Sequence, residues 1–131
     1  MKLIKTMTLV ALMSVAGMSQ DVLSTNMTQS ETGLTNIQKG FLYNSIEMIK
    51  AGATQIKAAN KIFHNPEDTK KYLPSNKSHM SNVAFNAAKR INNATDEMLL
   101  YIDAKEMNKA QSSFSNIISA CGSCHAVVRG W

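Results

Sequence analysis

Apolar side chains recur at intervals of three and four residues in four separate stretches of this chain. Leu23, Met27, Leu34, Ile37 and Phe41 share one helical face, and Ile46, Ile49, Ala53, Ile56 and Phe63 share a second. Met80, Val83, Ala87, Ile91, Ala94, Met98 and Tyr101 make a third, and Met107, Ala110, Phe114, Ile117, Cys121 and Val128 a fourth. That period is the mark of an amphipathic helix. It predicts helices over 24–43, 45–63, 77–102 and 105–128. The clear loop is His64 to Lys77, which holds both Pro66 and Pro74. Within the first half, Tyr43-Asn44-Ser45 supplies a turn and an N-cap, with Glu47 in the first turn that follows. Asp103-Ala104-Lys105 does the same before Glu106. Breaks this short favour antiparallel neighbours. The expected fold is therefore all-α, an antiparallel up-down-up-down four-helix bundle.

The N-terminus follows a different pattern. Lys2 and Lys5 precede a run from Thr6 to Met18 that is almost free of polar groups, and the small residues Ala16, Gly17 and Ser19 come after. Charge, apolar run and small residues in that order spell a secretory signal peptide, with cleavage expected between Ala16 and Gln20. The run is short of the roughly 20 residues a spanning helix needs. Residues 1–20 are thus read as a cleaved signal and 21–131 as one exported domain, with no membrane span in the mature chain.

Composition narrows the class further. The 131 residues are 44% hydrophobic and 6% aromatic. So few aromatics and turn residues speak against a β-sandwich. The two cysteines are too few for a disulfide scaffold. The net charge of +5 falls to +3 once Lys2 and Lys5 are removed, and no Lys/Arg stripe remains to bind nucleic acid.

The chemistry lies in Cys121-Gly-Ser-Cys124-His125. A C-x-x-C-H run is the attachment site of c-type haem. Two thiols add across the two vinyl groups on one porphyrin edge, so their separation is fixed. The next imidazole must then reach the iron from one side. On a helix Cys121, Cys124 and His125 share a face, and His125 lines up with Met107, Phe114 and Ile118. Three other readings compete. A structural zinc site wants four ligands, and the other histidines are only His64 and His79. A redox dithiol belongs at a helix N-terminus near a βαβ unit, whereas this pair ends a helix. A plain disulfide leaves His125 without a role.

An exported four-helix chain with C-x-x-C-H in its last helix resembles the cytochrome c prime family. The resemblance spans the mature chain in architecture, and its close match is the motif and its surroundings. It implies one covalent haem c per chain, held by Cys121 and Cys124 with His125 as proximal ligand. Arg129 stands where the family has a basic residue, four positions after the histidine, and the resemblance places it beside the imidazole and haem edge. At Val128 the family commonly has an aromatic residue. The family setting is the periplasm, the partners are redox proteins, and members often form homodimers through the first two helices.

The resemblance also puts the first helix over the other side of the iron. His125 is about 20 residues into the predicted fourth helix, or roughly 30 Å. The same distance back from Asn44 lands near residues 24 and 25, with Leu23, Met27 and Ser30 in range. Met27 is the one that can ligate iron, and a thioether opposite histidine favours electron transfer. Equally, Met27 fits core packing, and Leu34 covers an open iron if the register differs by two turns. The leading expectation is a one-electron carrier with Met27 as sixth ligand. The alternative is a five-coordinate haem protein binding NO or CO. No distal histidine or carboxylate is expected, so no enzymatic role is assigned. His64 and His79 read as surface residues, and Gln38 as a polar group near the inward face.

Overall fold

The computed structural model describes residues 7–130, with side chains from Met18 onward except Gln20. The chain is all-α, and no strand occurs among the described residues. Its α-helices are α1 (Met7–Tyr43), α2 (Ile46–Ala59), α3 (Pro66–Thr69), α4 (Ser81–Asp103) and α5 (Met107–His125). None of the described helices is long and apolar enough to cross a membrane.

Two of the expected boundaries hold for the reasons given. Asn44 takes a left-handed φ of 54°, and the Ser45 hydroxyl then accepts from the Met48 N–H at 3.3 Å, capping α2. Asn and Ser are residues suited to these two jobs. Other boundaries differ. The first helix is already formed at Met7, the first described residue, well before residue 24, and runs unbroken through the expected cleavage zone, since nothing between Met7 and Leu23 stops a helix. Lys2 and Lys5 lie outside the described residues. Met18 and Val22 are exposed, and Leu23 is the first side chain packed into a core cluster. Asp103 ends α4 and caps nothing; the turn is made by Lys105 at φ 61°, and Glu106 precedes α5 without a side-chain cap bond.

The predicted loop also contains structure. The Asn65 side chain accepts from the Asp68 N–H at 2.8 Å, and Pro66 opens the single turn of α3. Pro is tolerated there because the first helical N–H needs no partner. Tighter 3₁₀ turns fill Asn60–Phe63, Lys70–Tyr72 and Ser75–Met80.

Helix pairing is visible in specific contacts. Asn36 on α1 donates to Gln55 on α2 at 2.8 Å. These two helices meet along a glycine seam: a Cβ on Gly33 would lie 2.8 Å from the Gly52 carbonyl oxygen. A Cβ on Gly52 would in turn meet the Gly33 carbonyl, so neither position has room for a side chain. Between α2 and α4, Lys50 pairs with Asp103 at 3.1 Å and Lys57 with Asp96 at 2.5 Å. Ser113 of α5 donates to Glu97 of α4 at 3.0 Å, and Arg90 of α4 donates to Ser123 of α5 at 3.2 Å.

The main core joins Ile37, Ile49, Ile56, Met98 and Ile117, all fully buried. A second cluster gathers Phe63, Leu73, Ala84 and Ala88, with Leu23, Met27, Cys124 and Val128 packed against it. Ile46, Gln38 and Ile118 depart from their expected inward placement and are exposed. Each sits at the margin of its helix's apolar face.

Candidate functional site

The motif lies in the last turn of α5, which passes at Ala126–Gly130 into a wider π-helical turn. Its outer face is tied down by Ser123, which accepts from Arg90 and donates to backbone carbonyls of its own helix. Its inner face is open. Cys121, Cys124, His125 and Arg129 line one wall of a cavity of about 370 Å³. That is within the range of roughly 300–1,000 Å³ usual for ligand pockets.

Each other wall comes from a different element. Met27, Ser30, Glu31 and Leu34 of α1 line the side facing the motif. Asn60 and Phe63 close the α2 end. Ala84, Ala87, Ala88 and Ile91 make the wall on α4, where short side chains leave space that larger ones would fill. Asn60 is buried, and its amide nitrogen donates to the Ala88 carbonyl at 3.4 Å and to Asn92 at 3.1 Å. A buried amide needs such partners.

The rings of Phe41 on α1 and Phe114 on α5 meet with centroids 5.9 Å apart, which sets the level of one helix against the other. His125 is eleven residues beyond Phe114, and Ser30 is eleven residues before Phe41. Both lie about 16 Å from the ring pair along their helices. Ser30 therefore stands at the level of His125, with Met27 and Leu34 about a turn to either side. The sequence count placed this level near residues 24 and 25. It erred because the start of α5 is not level with the end of α1: Phe114 lies seven residues past Met107, whereas its partner Phe41 lies two residues before Tyr43. Leu23 packs in the second core cluster and does not line the cavity, whereas Met27 does both.

One expectation is overturned. Glu31 lines the cavity, so a carboxylate does stand on the α1 side. It lies on the exposed flank of the apolar stripe, where a hydrophobic pattern gives no signal. His64 and His79 are exposed and away from the cavity, as expected. Met98 is fully buried in the main core.

The electrostatics separate the competing chemistries. Burial pushes both thiols above the ordinary cysteine value, and the neighbouring Cys124 pushes Cys121 further. A dithiol redox centre needs the reverse, a thiolate stabilised below that value. Burial pushes the His125 imidazole below the ordinary histidine value, and the positive Arg129 adds to this. The ring is thus neutral near pH 7, the form that binds metal. Among the described residues no cluster of three or more His, Cys, Asp and Glu side chains could hold a metal ion. A zinc site with protein ligands alone has no support there. Comparison with known proteins adds no relative: no family model, no curated protein and no solved structure matches the chain.

Proposed function

We propose that the protein is an exported monohaem c-type cytochrome of the cytochrome c prime kind, working as a one-electron carrier in the periplasm. In this reading α1, α2, α4 and α5 form an antiparallel up-down-up-down bundle, and the cavity between α1 and α5 is the haem site. The observation that carries it is the convergence of both thiols and the imidazole of C-x-x-C-H on one cavity.

The residues present fit the group. Protonated, half-buried thiols suit thioether formation, and a neutral imidazole beside them suits an axial ligand. The alanine wall of α4 suits a flat apolar ring. Cys121 and Cys124 would hold the haem covalently, with His125 as proximal ligand and Met27 as distal ligand. Arg129 would lie beside His125 at the haem edge. When bound, the haem supplies reversible one-electron chemistry at its iron. The chain keeps water off the site with Phe63, Leu34 and Ile91 and holds the imidazole neutral. Transient redox partners would dock at the cavity mouth.

A second reading, a five-coordinate protein that binds NO or CO, is favoured by one observation. Leu34 lines the same cavity on the other side of the Ser30 level, four residues away against three for Met27, and a leucine there leaves the iron position open. The optical spectrum of protein matured in a haem-ligating host tests both. A low-spin spectrum that resists CO supports the carrier, and Met27→Ala should convert it to a high-spin, CO-binding form. A high-spin ferric spectrum in the unaltered protein removes Met27 as ligand.

A further inference from the structure

Most of the cavity lining is apolar or neutral, but two charged side chains contribute to it from opposite walls. Arg129 comes from the turn after α5 and is close enough to His125 to disfavour protonation of the ring. Glu31 comes from α1, one turn from Met27 and next to Ser30, which stands at the His125 level. Asp68, Asp96, Asp103, Glu67 and Glu106 are each matched by a cation. Among the described residues Glu31 has no ion-pair partner. Glu31 is exposed at the edge of the cavity, so its charge reaches the site partly through solvent and most strongly at low ionic strength.

We infer that Glu31 tunes the reduction potential of the haem site, as the negative counterweight on α1 to Arg129 after α5. This rests on the haem reading above. Loss of one electron adds one positive charge at the site. A nearby carboxylate favours that state and lowers the potential, and a guanidinium raises it. A fixed charge near a redox group shifts its potential through the Coulomb energy between them. The carboxylate acts through space, so it needs neither a bond to the haem nor a change of shape. It is a positioning charge and not a catalytic residue.

The test is redox potentiometry on haem-loaded protein, followed by absorbance at fixed pH and low ionic strength. Glu31→Gln keeps the shape and removes the charge, and it should raise the midpoint potential. Glu31→Lys should raise it further, and Glu31→Asp should leave it near the unaltered value. Arg129→Gln should move it downward. The control is Glu47→Gln, an exposed carboxylate at the start of α2, which should cause no shift. A Glu31→Gln potential equal to that of the control, or below it, overturns the inference. Covalent haem is read separately from the mass of each sample. Unaltered protein without haem defeats the haem reading itself, whereas haem present with no shift defeats only the role of Glu31.

Discussion

His125 carries a stability signature that can be read without any cofactor. Burial and Arg129 hold its proton affinity below the ordinary histidine value of 6.5. The unfolded chain therefore takes up that proton before the folded chain does. Stability is at its full value above pH 6.5 and falls as the pH drops through it, until the folded ring protonates as well. Thermal unfolding of haem-free protein between about pH 7.5 and pH 5 should show this decline, and His125→Gln should flatten it. Asp68 does not blur the window. Its bonds to Lys71 and then Asn65 hold its carboxyl at about 2, so its contribution is lost only as the pH falls below 3.8. At this scale the sequence was a good guide to the motif and a poor one to its surroundings. Cys121, Cys124 and His125 were legible as a group because their spacing of three and four residues puts them on one helical face, which lines the cavity. Glu31 and Asn60 were not, because a polar residue flanking an apolar stripe looks like any solvated position until a cavity is found beside it.

Among the elements, α1 and α2 are joined by a device that hydrophobic periodicity does not register. Gly33 and Gly52 have no side chain to count, yet their absence of Cβ lets the two backbones approach. Gly52→Ala should cost about 1–3 kcal/mol, the usual cost of overpacking, since its new methyl group would strike the Gly33 carbonyl. Gly122→Ala makes the contrast within the motif itself. Nothing lies within 4 Å of a Cβ built there, so removing a helical glycine should gain about 0.5–1 kcal/mol. Denaturant unfolding of the haem-free variants measures both, and equal effects of the same sign would contradict the seam. Turn chemistry was readable at Asn44 and Ser45, where each residue has a specific conformational task. The single turn of α3 was too short to show a period, although Asn65-Pro66 marks its start. The long start of α1 was missed for another reason. Residues 1–20 were assigned to export, and the apolar run among them also makes helix from Met7 onward.

At the scale of the whole molecule, helix pairing and cavity have one cause. Pairing of α1 with α2, of α2 with α4 and of α4 with α5 leaves α1 and α5 as the walls that face each other. Phe41 and Phe114 close the gap between those walls near one end, and the cavity fills it toward the motif. The main core under Met98 and Ile117 borders this region through Ile91, Leu34 and Cys121, which also line the cavity. On the α4 side the cavity is bounded by Ala84, Ala87 and Ala88, whose short side chains leave room for it. The proposed function requires that a tetrapyrrole occupy it through thioether bonds. Intact-mass analysis of protein matured in a haem-ligating host decides this most directly. The predicted result is the polypeptide plus one haem, lost when both Cys121 and Cys124 are replaced by alanine. The polypeptide mass alone, from a host that loads other c-type proteins, would contradict it.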